Sequence, residues 1–163
     1  MIHLDEHDSF SVLLILNGMG APGRIIPALI ADRLIGPLNT YIPTVFLAGL
    51  CLYCWAAVKL SAGLFAFCVF YGLPGGGIQS LLPAALMGLT KDMSKVGVRV
   101  GMLFSVISVA SVTGPPLAGA LVQLDNGGYL YAQIFGGTTA LVGAAFLLAC
   151  RVSHSGWALH RKL

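Results

Sequence analysis

Five apolar runs occupy most of the chain: Phe10 to Ala31, Tyr41 to Val58, Ala62 to Thr90, Val100 to Val122 and Leu130 to Cys150, and the one charged residue inside any of them is Arg24. A helix crossing a hydrocarbon layer of about 30 Å needs roughly 20 largely apolar residues, and each run is of that order. A soluble domain would need a polar face on every helix, and these runs have none. Composition agrees, with 57% hydrophobic and 9% charged residues and a mean hydropathy of +0.88. The predicted fold is an all-α, multi-pass bundle of about five transmembrane helices, with the lipid bilayer as its solvent.

The runs define a membrane domain over 10–151, between an extracytoplasmic tail over 1–9 and a basic cytoplasmic tail over 152–163. Asp5, Glu6 and Asp8 make the start acidic, the opposite of a signal peptide's basic n-region, so the first run is expected to be retained. The connectors Asp32 to Thr40, Lys59 to Ser61, Lys91 to Arg99 and Asp125 to Tyr129 leave no room for a soluble domain. Positive charges near span ends stay cytoplasmic. Arg33, Lys91, Lys95, Arg99, Arg151, Arg161 and Lys162 fall on one side, against Lys59 on the other. The N-terminus is therefore predicted outside and the C-terminus inside. Pro74-Gly75-Gly76-Gly77, followed by Pro83, and the pair Pro115-Pro116 remove or weaken helical hydrogen bonds. They predict helix breaks, with the third run a kinked or tilted span and two half-helices as the alternative.

Several classes of function are excluded. A formal charge of +3, scattered along the chain, supplies no basic stripe for a nucleic acid. Cys51, Cys54, Cys68 and Cys150 lie within apolar runs, where cysteine acts as a small hydrophobe, and the Cys51-x-x-Cys54 pair lacks the flanking pattern of a redox or zinc site. His3 and His7 flank Asp5 in the first tail, and His154, His160 and Trp157 fall in the last, positions that suit solvated or headgroup-facing residues better than a metal site. The glycine run follows no strand and is not a phosphate loop. No paired acids, Ser/His pair or metal cluster lies inside the spans, so no enzyme, cofactor or metal is expected.

Arg24 is the residue that asks for an explanation, because a cation in mid-span costs about 2.5–3.5 kcal/mol on insertion scales. One reading is recognition of an anion. The other is structural: the side chain snorkels to the cytoplasmic end, or pairs with Asp32 eight residues on, about 12 Å along a helix. Asn17 lies two turns earlier on the same face and either serves the same cavity or bonds a neighbouring helix. Gln79 and Ser80 present the same two alternatives. Small residues at four-residue spacing, Gly72 and Gly76, then Ala110, Gly114 and Ala118, then Gly136, Ala140 and Ala144, predict close helix contacts.

The segment from Gly23 to Asn39 resembles the cytoplasmic loop of major facilitator carriers. Ala31-Asp32-Arg33 matches that superfamily's A-D-R-x-G core, with Ile35 as an extra residue before Gly36. Asp32 beside Arg33 could latch neighbouring helices through charge-assisted bonds. The Arg24 span and Gly114-Pro115-Pro116-Leu117-Ala118-Gly119-Ala120-Leu121 look like the fungal monocarboxylate-transporter branch, over Ser9 to Arg151, aligned with the last five of its twelve spans. The resemblance implies a secondary carrier for a small organic solute, a monocarboxylate in that branch, with the plasma membrane as the usual site and Arg24 matching a substrate-binding arginine. The better-studied members place an aspartate four residues before that arginine for proton coupling; here that position is Gly20.

On this resemblance seven spans would be missing, so the chain is expected to need N-terminal helices or another membrane subunit and not to transport alone. The alternative is a truncated, non-transporting membrane protein or an accessory partner. The orientation is testable with glycosylation-acceptor tags in microsomes: an N-terminal tag should be modified and a C-terminal tag should not. The reverse pattern refutes the charge assignment.

Overall fold

The computed structural model describes residues 6–58, 61–90 and 92–155. Asp5, His3, Lys59, Lys91, Trp157, His160, Arg161 and Lys162 lie outside them, as do the side chains of Glu6, His7, Asp8 and His154. Among the described residues there are five long helices and no strand: α1 (Glu6–Ile30), α2 (Pro37–Ala56), α3 (Ser61–Gly88), α4 (Val96–Leu124) and α5 (Leu130–Ser155). All five are long and apolar enough to cross a membrane. Helix is the form a chain takes in hydrocarbon because it pairs every backbone group within the segment.

The junctions follow from local chemistry. Between α1 and α2 the chain widens into a single π-helical turn, Ala31–Ile35, in which the Gly36 N–H donates to the Ala31 carbonyl at 2.9 Å. Gly36 then takes φ 87° and ψ 158°, a left-sided conformation that glycine adopts without penalty. Pro37 opens α2 in the first helical turn, where no N–H is needed. α2 therefore starts four residues before the expected Tyr41. The extra Ile35 is accommodated by the wide turn. Before α4, Asp92 accepts from the Ser94 hydroxyl (2.8 Å) and backbone N–H (3.1 Å) and pairs with Lys95 at 3.5 Å. The Ser94 bonds, chiefly the hydroxyl, hold its carboxyl below the usual carboxylate range. α4 begins at Val96, so Arg99 lies in the helix and donates to the Thr90 hydroxyl at 3.2 Å. Asp125 accepts from the first N–H of α5, that of Leu130, at 3.1 Å.

The expected breaks do not divide the helices. α3 runs as one α-helix through Pro74, Gly75, Gly76, Gly77 and Pro83, and α4 through Pro115 and Pro116. Each proline deletes one N–H donor and leaves the neighbouring bonds in place. In a span the remaining backbone groups have no water to turn to, which favours continuing the helix.

The helices contact one another in the sequence α1, α3, α2, α5, with α4 attached thinly to α3 and α5. α1 and α3 run parallel at glycine distance. A Cβ on Gly23 would lie 2.5 Å from the Leu73 carbonyl, one on Gly76 would lie 2.5 Å from the Gly20 carbonyl, and one on Gly72 would lie 2.6 Å from Met19 Cβ. The Gly72/Gly76 spacing thus does what the sequence predicts. The Gly136, Ala140 and Ala144 set packs similarly on α2, where a Cβ on Gly49 would lie 3.2 Å from Ala140 Cβ and Ala144 is buried. The third set meets no helix among the described residues: nothing there lies within 4 Å of a Cβ on Gly114, and α4 has no buried residue.

A small core of Ala31, Leu38, Tyr41, Val45, Leu81, Ala85 and Ala144 sits near the π-turn end. Outward-facing Phe70, Val112 and Phe146 are exposed, as lipid-facing side chains would be. α2 and α5 are antiparallel and joined at both ends. The Tyr53 and Thr138 hydroxyls share a hydrogen bond of 2.8 Å, and at the other end the Arg151 Nε donates to Asn39 Oδ1 while the Asn39 amide donates to the Ile35 carbonyl at 2.6 Å. Arg151 is 5% exposed. Trp55 stacks on Phe67 at 5.0 Å and Phe67 on Tyr71 at 5.3 Å, tying the end of α2 to α3.

Two stability predictions follow from these seams. Gly76→Val should lower stability by about 1–3 kcal/mol, since its side chain meets backbone that cannot turn aside. Gly101→Ala, with open space around it, should leave melting in detergent unchanged or slightly raised; equal melting of the two variants would refute the close contact. For Asn39 and Arg151, a double-mutant cycle with alanine should give a coupling of about 1–3 kcal/mol, whereas strictly additive losses would show that the bond carries no stability.

Candidate functional site

α1 carries Arg24 and α3 carries Gln79 and Ser80, and the parallel glycine contact brings them level. Residues 16–19 lie beside Gly72, 20–24 beside Gly76, and Arg24 beside Gln79 and Ser80. The Arg24 Nη2 donates to Gln79 Oε1 at 2.8 Å. The Ser80 hydroxyl lies within hydrogen-bonding reach of the Arg24 carbonyl (3.3 Å) and the Gly77 carbonyl (3.2 Å). One turn below, Pro27 has no N–H to give to the Gly23 carbonyl, and Gly77 comes close at that point, where a Cβ would lie 3.3 Å from the same oxygen. The backbone of α1 around Arg24 is thus supported from α3.

The candidate span that contains Arg24 runs from Phe10 to Ile35. Arg24 lies 14 residues from one end and 11 from the other, about 21 and 16 Å along a helix. Among the described residues no ion pair joins it to Asp32, and the stretches 9–31 and 61–90 hold no acidic residue. Its contact is a neutral amide, so the guanidinium charge is held in place without being cancelled. Both Arg24 and Gln79 are exposed on the face of the α1/α3 pair.

Asn17 is not part of this cluster. Its amide donates to the Leu13 carbonyl of its own helix at 2.9 Å, the local bond that short polar side chains make in a helix. Asp32 and Arg33 lie exposed on the π-helical turn. On another side of α1, Pro27, Ile30, Thr40, Thr44, Leu73 and Pro74 line an apolar cavity of about 320 Å³ between α1, α2 and α3. Its two threonine hydroxyls donate to the carbonyls four residues before them, those of Gly36 and Thr40, which leaves it unsuited to an anion. The four cysteines are free thiols.

Sequence reasoning places Arg24 but not its partner. Gln79 is 55 residues away, and only the α1/α3 register shows which polar residue meets the cation. It also misses the Asn39–Arg151 bond, where a residue counted as an interfacial charge is instead buried. The one available signal was an asparagine just inside a helix opened by Gly36-Pro37.

Comparison with known proteins bears on what such a bundle does. No family model matches the chain, and no solved structure matches it. It is 44% identical over 146 residues to an MFS-type transporter of Gibberella zeae, covering 90% of this chain and 33% of the relative. It is 35% identical to an MFS-type transporter of Penicillium oxalicum, covering 95% and 36%, and 33% identical to the aspyridones efflux protein of Emericella nidulans, covering 91% and 30%. The chain spans about one third of the length of these relatives. Its five helices are therefore homologous, over nine-tenths of the chain, to a one-third-length stretch of fungal transporters of the major facilitator superfamily.

Proposed function

We propose that this chain is part of a major facilitator carrier that moves a small organic solute across a bilayer by alternating access, with Arg24 recognising an anionic group on that solute. The observation that carries the reading is a cation near mid-span whose contact is an uncharged amide. A structural arginine at that depth would be best served by a carboxylate, because neutralising the charge lowers its cost in hydrocarbon. A site for an anion keeps the charge available. Carrier sites lie near the midplane, between helices that rearrange. The α1/α3 pair supplies one wall; the α2/α5 pair, bonded at both ends, supplies a firmer support. Further helices, from the remaining length that the relatives have, would close the site. The segment corresponds to the last five of twelve spans on this reading, and Asp32 with Arg33 acts on the cytoplasmic side as a latch.

For the solute, the efflux named for the aspyridones relative, and for an agnestins efflux protein of Paecilomyces divaricatus, favours outward movement of an organic product over monocarboxylate uptake. Gly20, four residues before Arg24, removes the carboxylate that would carry a coupled proton, so coupling through that pair does not operate.

Replacing the matched third of the Emericella nidulans efflux protein with this chain tests the reading. At equal membrane level, the chimera should export aspyridones from cells lacking the native protein. Arg24→Ala in the chimera should reduce export by at least about tenfold, the loss expected for a hydrogen-bonded charge contact, and Arg24→Lys should retain part of it. Full export by the Arg24→Ala chimera refutes the role of Arg24. Solute flux by the 163-residue chain alone in liposomes would refute the need for further helices.

A further inference from the structure

We propose that Gln79 is the positioning residue of the Arg24 site and its second donor: its carbonyl oxygen orients the guanidinium, and its amide N–H groups are presented beside it to the same anion. This rests on the reading of Arg24 as an anion site.

The bond from Arg24 Nη2 to Gln79 Oε1, 2.8 Å long, uses one of the five N–H donors of the guanidinium. The others remain to form the paired contacts that guanidinium makes with a carboxylate or similar planar anion. Holding the amide by its oxygen also decides which way it faces. With the oxygen taken by Arg24, the nitrogen on the other branch of the same planar group keeps its two donors for a further acceptor. An acidic side chain at position 79 would accept the same bond but would neutralise the site. Glutamine supplies reach and an acceptor without charge.

Ser80 supports the arrangement from below. Its hydroxyl spans the Arg24 and Gly77 carbonyls, so the backbone of α1 at Arg24 is referred to α3 at the level of Gln79. The glycine contact at Gly23, Gly72 and Gly76 brings the two backbones close enough for the side chains to meet. Three independent features, the side-chain bond, the serine bridge and the glycine approach, therefore hold the pair in register.

The test uses the 163-residue chain in lipid nanodiscs, with phenylglyoxal as the arginine reagent and the modification of each arginine read by mass spectrometry. Benzoate serves as the probe anion and benzamide as its neutral counterpart. Benzoate, but not benzamide, should slow modification of Arg24 in the unaltered chain. In Gln79→Ala, Arg24 should react several-fold faster and require roughly tenfold more benzoate for the same protection, as expected for loss of a hydrogen bond to a charged group. In Gln79→Glu, which keeps size and reach, benzoate protection should disappear because the new carboxylate occupies the guanidinium. Modification of the buried Arg151 should be the same in all three, which separates positioning from general loosening. If benzoate protects the unaltered chain and both variants equally, Gln79 has no such role while the Arg24 reading stands. If benzoate fails to protect Arg24 in the unaltered chain, the α1/α3 wall holds no anion by itself and this inference is refuted, while export by the Arg24→Ala chimera still decides the role of Arg24.

Discussion

A peptide group in hydrocarbon has no water to bond, so its partner has to be found within the protein. That constraint explains why seven prolines can lie inside the helices of this chain without dividing them. Each removes one donor, and the cost of abandoning the remaining ladder would be larger. Where the ladder must end, the chain uses groups close at hand: the i to i+5 bond that closes the π-helical turn at Gly36 and the Asp92 and Asp125 carboxylates.

Because lipid gives no hydrophobic drive to bring helices together, close contact has to come from shape and polar bonds. The glycines at 23, 72 and 76 let α1 and α3 approach backbone to backbone, and the site depends on that approach. A side chain on any of them would separate the helices and lengthen the reach from Arg24 to Gln79. The α2/α5 pair is joined differently, by hydrogen bonds at both ends and a small-residue contact between them. Both pairs thus combine small-residue contact with hydrogen bonds, which lie at the two ends of α2/α5 and at the level of Arg24 in α1/α3.

Arg24 shows how charge and position combine. Its depth makes neutralisation the lowest-energy solution, and the fold instead offers an amide. Asn17, which shares its helix face, does not join it because a carbonyl of its own helix is a nearer acceptor. α4 remains almost uncovered, with its Ala110, Gly114 and Ala118 stripe exposed among the described residues. The relatives are about three times longer, and a helix with small residues on an open face is suited to receive other helices.

The apolar runs alone determined the all-helical class, the number of spans and the isolation of Arg24, because segment length and charge are properties of the chain taken in order. The Gly72/Gly76 contact was legible for the same reason: its spacing sits on one helix face. Helix ends were less so, since the π-helical turn and the early start at Pro37 depend on how Gly36 is placed between two packed helices. The choice between one span and two half-helices at Pro74 to Gly77 was left open, because the sequence displays the bonds that are lost and not the surroundings that forbid replacing the rest with water. Gln79 as the partner of Arg24, and Asn39 as that of Arg151, were decided by tertiary structure alone. Their separations of 55 and 112 residues carry no periodic signal, and only the register between helices says which polar groups meet.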